Sequence, residues 1–395
     1  GIETNGVKIN DKLLKDLSAD FGKRIKGIEK KVWKMAGAEF NLASPKQLKE
    51  VLFDTLQIST AGISKTKTGL STAAGQLEKL QGQHEIIDLI LEFRELSKLK
   101  STYLDALPAL ISKVDGRVHT SFNQTVTSTG RLSSSEPNLQ NIPIRTETGG
   151  QIRKAFIAEK GMKIVKADYS QIELRIIASL ANDKAMLKIF KSGGDIHTMT
   201  AALINNLKPE EVTKEIRRTA KEINFGVLYG MGAWGLSNRT GISNTEAQKF
   251  IFKYFDTFKE VKKWLDETVD VAKEKGYVET LYGRRRYITE INSSIQQVSN
   301  SAERMAVNMP IQGTAADLIK LAMVQIHKKL PAVSPKSRMI LQVHDELVFE
   351  VPEKEVPKVA KFIRDTMCGV MELKAPIEAE VSSGDNWSET EIIKL

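Results

Sequence analysis

The chain has 395 residues, 41% of them hydrophobic, and 58 Lys and Arg against 49 Asp and Glu give a net charge of +9. That length suffices for two or three domains with a substantial core, and charges mixed in sign along the chain exclude extensive disorder. The single cysteine, Cys368, excludes an intrachain disulfide and a multi-cysteine zinc site and fits a reducing compartment; no apolar run reaches the length of a membrane span, and the basic balance suits a polyanionic partner, although many basic proteins have none.

The start, Gly1-Ile-Glu-Thr-Asn, lacks a signal-peptide pattern, and opening on Gly is what a fragment or processed product would show. Leu14, Leu17, Phe21, Ile25, Ile28, Val32 and Met35 recur at helical spacing, as do Ile86, Leu89, Phe93, Leu96 and Tyr103, which predicts two long amphipathic helices. Between them Asn41 to Leu56 reads as a shorter helical unit after Ser44-Pro45, and Ser64 to Ser71 as a basic, Gly-containing loop. From Gly116 the texture changes. Arg117 to Thr127 has β-type composition and opens a sheet, and a Ser-, Pro- and Asn-rich passage follows to Pro143. Met162 to Ala167 reads as a strand entering a helix at Ser170, whose spacing to Glu173 matches a capping box. Helices dominate from His197 to about Lys275, and Met339 to Val343 with Leu347 to Val351 form a hairpin tipped by His344, Asp345 and Glu346. A sheet built from separated segments, with one helical module before it and one inserted into it, gives an α+β architecture.

Asp168, where a strand hands over to a helix, and Asp345, at a hairpin tip, can meet at one sheet edge, although Asp is also common at turns and helix starts. If they meet, two hard-oxygen carboxylates suit a pair of Mg²⁺ ions. One would activate an attacking hydroxyl and the other would hold a triphosphate and stabilise the leaving group. Glu346 either tunes this site or is an exposed turn carboxylate. Arg217, Lys221, Phe225 and Tyr229 recur every four residues as one helical stripe, first cationic and then aromatic. Such a stripe can place charge on a triphosphate and a ring against a base, or be a solvated amphipathic face. Gly226 and Gly230 around Tyr229 permit close approach or bending at that helix end. Arg131, Asn308 and Gln312 carry donors suited to minor-groove acceptors, with buried backbone bonding the alternative for the amides. Arg284, Arg285 and Arg286 after Tyr282-Gly283 read as a solvated turn or a phosphate contact.

Together these segments resemble the family A DNA polymerases of the bacterial DNA polymerase I type, over essentially all of the chain. Asp168-Tyr-Ser-Gln-Ile-Glu-Leu-Arg175 is similar to the first catalytic motif, and Arg217-Arg-Thr-Ala-Lys-Glu-Ile-Asn-Phe-Gly-Val-Leu-Tyr-Gly230 to the nucleotide-binding helix. Val343-His-Asp-Glu-Leu347 resembles the third motif, and Thr129-Gly-Arg-Leu-Ser-Ser134 with Pro137-Asn-Leu-Gln-Asn-Ile-Pro143 the template-primer segment; such ordered motifs rarely coincide by chance. The resemblance implies a right hand with a central antiparallel palm sheet: thumb 1–110, palm 111–190 and 306–395, and fingers 191–305. It implies a DNA-directed DNA polymerase, monomeric and cytoplasmic in a bacterium or phage-infected cell, or organellar, with no membrane partner and a role in replication or repair. Asp168 and Asp345 would be the metal-binding catalytic pair, with the Tyr169 carbonyl as a further ligand and Glu346 auxiliary. Arg217, Lys221 and His197 would engage the deoxynucleoside triphosphate, Phe225 and Tyr229 would line the base pocket, and Glu173 would oppose a ribose 2′ hydroxyl. Arg131, Gln140, Asn141, Arg304, Asn308, Gln312 and His344 would hold primer-template DNA. Lys65 to Gly69 and Lys98 to Tyr103 resemble the duplex-binding parts of the thumb, and the chain has no room for the exonuclease-type or 5′ nuclease domains of the full-length enzyme. A single-subunit RNA polymerase, against which Glu173 argues, and a non-catalytic DNA-binding relic, against which the two aspartates argue, are the competing readings.

Overall fold

The computed structural model describes residues 1–66, 69–143 and 146–395. Near the N-terminus, Asn10 caps the helix Asp11–Ala36 by accepting from the Leu13 amide, and Gly37 ends it at a φ of 76°. Leu14, Phe21, Ile28 and Val32 turn one stripe of that helix onto Glu85–Leu99, which answers with Ile86, Ile90, Phe93 and Leu96. Each such buried side chain contributes roughly 1.5–3 kcal/mol. The expected shorter unit is the helix Pro45–Lys49, capped by Ser44 and continued by a wider turn over Glu50–Thr55. In the basic loop Lys65–Thr66 pairs with Gly69–Leu70, and Lys67 and Thr68 between them lie outside the described residues.

The main sheet has five strands, β1 (Met162–Tyr169), β2 (Arg338–Val343), β3 (Glu346–Pro352), β4 (Ala379–Gly384) and β5 (Glu391–Ile392). Their spatial order is β2-β3-β1-β4-β5 and every pairing is antiparallel. Side chains alternate between two cores. Val165, Ala167, Tyr169, Leu347, Phe349 and Val351 face the helices Ile172–Leu180, Gln296–Val333 and Val356–Gly369, whereas Ile164 and Val348 face the core shared with the N-terminal helices. By that alternation Asp168 and Glu346 continue the row of Ile164 and Val348 to its end.

The structure differs from the expectations in several places. The helix after β1 starts at Ile172 with Gln171 as its cap, at a φ of 54° and with no side-chain cap bond, so Ser170 and Glu173 form no capping box. The strands Arg117–Val118 and Ser121–Asn123 belong to two small separate sheets, because each pairs with a short neighbour and neither reaches β1. The nucleotide-helix candidate ends at Gly226, so Tyr229 lies in the turn beyond it rather than on its stripe. Arg285 and Arg286 sit on the short strand Arg285–Tyr287, while Arg284 is tied to Asp317 through Nε and Nη2 at 2.8 and 2.6 Å.

Candidate active site

Strand β1 delivers Asp168 to the end of the sheet, and register places it opposite Glu346 of β3 on one side and Glu380 of β4 on the other. Like charges directly opposed across a sheet repel. Asp345 joins the group from the β2–β3 turn, where its carbonyl accepts from the Tyr169 amide at 3.2 Å. Solvent reaches Asp168, yet crowding by protein first, and the Glu346 and Asp345 charges second, push its carboxyl up to about 7. Burial also raises Asp345, with Arg131 and His344 opposing it. Carboxylates that resist ionisation side by side are what a bound divalent cation relieves. Among the described residues no three His, Cys, Asp or Glu side chains gather into a metal cage. Carboxylate oxygens at a sheet end are of the type an ion takes when it keeps its waters and shares ligands with substrate phosphates. The Tyr169 side chain is buried on the other face, its hydroxyl donating to the Met367 carbonyl at 2.9 Å, so only its backbone is available to the cluster. Glu380 was not among the expected site residues; its signal is the alternation Ala379, Glu380, Val381 on a strand, which carries no register.

The turn that presents Asp345 is held in an uncommon shape. His344 has a φ of 53°, in the left-handed region that non-glycine residues rarely adopt. Gln342 Nε2 donates to the His344 carbonyl at 2.6 Å, and Gln140 Nε2 donates to Gln342 Oε1 at 2.9 Å, so two side chains over-determine the strained turn. Crowding by protein first, and the Arg131 charge second, hold the His344 ring below its ordinary pKa. Arg131, Gln140, Gln342, His344 and Asp345 line one cavity of about 20 Å³, which brings three of the expected DNA-contacting residues beside Asp345.

Glu173 links this cluster to the nucleotide-helix candidate. Its Oε1 accepts from Arg131 Nη2 at 2.6 Å and its Oε2 from the Tyr229 hydroxyl. Burial first, with Asp345 adding to it and Arg131 opposing, pushes the carboxyl up to about 7. On the helix Lys214–Gly226, capped by Thr213, Arg217 points its Nε and Nη2 at Asp195, at 2.7 and 3.2 Å. Asp195 also caps the helix Ile196–Asn205 by accepting from Thr198, and these bonds pull its carboxyl well below the usual range despite burial. Sequence reasoning missed Asp195 because an Asp before a helix reads as a cap; the complementary charge of Arg217 was the available signal. His197, 3% exposed, takes the Asn224 amide on Nδ1 at 3.0 Å, and burial above all pushes it down to about 4. The ring is therefore neutral with its proton on Nε2. Its centroid lies 5.7 Å from that of Phe225, and Lys221 is half-buried one turn before Phe225.

Arg304, Asn308 and Gln312 follow one another every four residues along Gln296–Val333. The Arg304 stem packs where a side chain on Gly230 would stand, 2.7 Å from the Cβ position, and Gly230 has a φ of 76°. Only glycine fits that close approach. Asn308 Oδ1 is buried without a hydrogen-bond partner, a condition that a bound donor would relieve. Asn141 is exposed in the turn after Gln140. Among the expected residues Asp168, Glu346 and Asp345 meet, Arg131, Gln140 and His344 stand beside Asp345, Glu173 joins Arg131 to Tyr229, and His197 lies against Phe225.

Known proteins resemble this chain in sequence and in fold. The chain is 49% identical over 388 residues to the thermostable DNA polymerase I of Thermus filiformis, covering 98% of this chain and 46% of that protein. It is 46% identical over 387 residues to DNA polymerase I of Geobacillus stearothermophilus, covering 98% and 44%. The chain thus spans less than half the length of these relatives. A solved structure of the POL domain of Pol1 from M. smegmatis, in complex with DNA primer-template and dNTP, superposes with a TM-score of 0.93 at 42% identity, covering 98% of this chain and 68% of that one. Residues 11–389 match the sequence pattern of DNA polymerase family A, and the chain belongs to that family.

Proposed function

We propose that this chain extends the 3′ end of a DNA primer along a DNA template, using deoxynucleoside triphosphates in a nucleotidyl transfer that releases pyrophosphate. The observation that carries the proposal is the meeting, by strand register, of Asp168 with Glu346 and the adjoining Asp345 in a family A polymerase chain. The M. smegmatis POL domain, described with primer-template and dNTP, supports DNA and a deoxynucleotide as partners. In this scheme the five-stranded sheet is the palm within 111–190 and 306–395, the N-terminal helices to residue 110 are the thumb, and 191–305 are the fingers of a monomeric cytoplasmic enzyme. Among the described residues no helix is long and apolar enough to cross a membrane.

Asp168 and Asp345, with the Tyr169 carbonyl, would hold two Mg²⁺ ions, whose chemistry is to acidify the primer hydroxyl and neutralise charge on the leaving pyrophosphate. Glu346 adds negative potential beside them. Lys221 and Arg217 neutralise triphosphate oxygens, Arg217 exchanging part of its Asp195 pairing for phosphate, and the neutral His197 donates from Nε2. Phe225 and Tyr229 offer ring faces to the incoming base pair, and Glu173 occupies the space a 2′ hydroxyl needs. Arg131, Gln140, Asn141, Arg304, Asn308, Gln312 and His344 hold the primer-template through backbone and minor-groove contacts, which do not depend on sequence. Extension of a labelled primer on a DNA template, with deoxynucleotides or ribonucleotides and with Mg²⁺ or a chelator, tests the proposal. Template-dependent, Mg²⁺-dependent addition of deoxynucleotides is expected. Addition only of ribonucleotides, or duplex binding with no addition, would overturn it.

A further inference from the structure

Glu346 is gripped from outside the carboxylate row. The indole Nε1–H of Trp387 donates to Glu346 Oε1 at 2.8 Å. Trp387 follows β4 and is 1% exposed, packed edge-on against Phe156 with centroids 5.3 Å apart at 72°. On its ring face lies the guanidinium of Arg153, 3.9 Å from the centroid. Arg153 is itself buried, with Nη2 donating to the Ile142 carbonyl at 2.9 Å and Nε without a hydrogen-bond partner. Burial lowers its pKa, and the charge of Glu346 is the foremost influence holding it up.

An indole is negative on its face and positive along its N–H edge. Here the face meets a cation and the edge meets an anion, so both partners polarise the ring in the same sense and each bond strengthens the other. A buried tryptophan that needed only satisfaction of its N–H could use a backbone carbonyl. This one uses the carboxylate that stands across from Asp168. The cation behind it is bonded to Ile142, next to Asn141 in the segment assigned to the primer-template.

We infer that Trp387 is a positioning residue of the polymerase centre: backed by Arg153, its indole fixes the Glu346 carboxylate opposite Asp168 and ties it to the backbone of the Asn141–Ile142 segment. The inference rests on the proposed role of the carboxylate cluster. Trp387→Phe isolates the bond, because it keeps a ring face for Arg153 and packing against Phe156 and removes the N–H.

Two measurements on the full chain test it. In the metal-free, DNA-free protein the Trp387 indole ¹⁵N–¹H resonance, identified by its contacts with Phe156 ring protons, should shift in Glu346→Gln while the other indoles stay in place. In single-turnover primer extension across a Mg²⁺ titration, Trp387→Phe should slow extension by about tenfold at limiting Mg²⁺, the scale of one hydrogen bond to a charged group. The Trp387→Phe, Glu346→Gln double variant should be no slower than Glu346→Gln alone. A Trp387 resonance unmoved by Glu346→Gln, or single-variant effects that multiply in the double variant, would overturn the inference. If Glu346→Gln shifts the resonance yet extends like the wild type, the bond stands and the reading of the cluster beneath the inference is what fails. Should thermal unfolding find Trp387→Phe unfolded, Glu346→Gln decides the matter: a shifted Trp387 resonance together with slowed extension at limiting Mg²⁺ supports the inference, and an unmoved resonance overturns it.

Discussion

Removing the Glu173 carboxylate should change which sugar is accepted. Both of its oxygens are engaged, Oε1 by Arg131 Nη2 at 2.6 Å and Oε2 by the Tyr229 hydroxyl, and its side chain is 12% exposed. A ribose 2′ hydroxyl brought to this place must turn the carboxylate out of one of those bonds. A hydrogen bond to a charged group contributes ~1.5–3 kcal/mol, which corresponds to roughly 10- to 150-fold in relative kcat/KM. Glu173→Ala should therefore raise ribonucleotide over deoxyribonucleotide efficiency by that factor, and Tyr229→Phe, which frees only Oε2, by less. The assay is single-nucleotide extension with each nucleotide class, run beside thermal unfolding of each variant. A Glu173→Ala protein that folds, extends with deoxynucleotides and keeps the wild-type sugar ratio would refute the reasoning. A loss of helix capping cannot stand in for the effect, because Glu173 caps nothing and Gln171 is the cap.

Asp168, with a folded pKa near 7, binds its proton more tightly in the folded than in the unfolded chain, so metal-free stability should fall as pH rises from about 4 to about 7 and then level off. Asp168→Asn should consequently stabilise the metal-free protein more at pH 8 than at pH 5, by about 1 kcal/mol after allowance for the solvent that reaches the group; denaturation in chelator at both pH values checks the sign. Asp317→Asn should cost about 1–3 kcal/mol, because Asp317 binds both the Arg284 guanidinium and, at 2.7 Å, the Thr280 hydroxyl, and a lowered denaturation midpoint is the readout. Duplex affinity should fall steeply with added salt and vary little with sequence, which a binding titration across salt concentrations would contradict by staying flat.

Local pattern carried much of the frame. The stripes from Leu14 to Met35 and from Ile86 to Leu96 are helical because one face must be apolar, and the two strands around Asp345 are bounded by a polar turn. What could not be read locally is register. That Asp168 faces Glu346 and Glu380 depends on how distant strands slide past one another, and the sequence around Glu380 contains nothing that says which residue it opposes. The engagement of Arg217 by Asp195 and of Glu346 by Trp387 is likewise tertiary: each residue looks ordinary in its own segment, a cap and a buried aromatic. Tyr229 shows the opposite failure, where a four-residue period ran on past the point at which Gly226 ends the helix.

The carboxylate pair itself is best tested by single-turnover extension with Asp168→Ala and with Asp345→Ala, each at saturating primer-template and Mg²⁺, with duplex affinity measured in parallel. Extension should fall to background in both while duplex affinity stays close to that of the wild type, since phosphate contacts elsewhere hold the DNA. Near-normal extension by either variant would contradict the assignment of Asp168 and Asp345 as the centre of the chemistry.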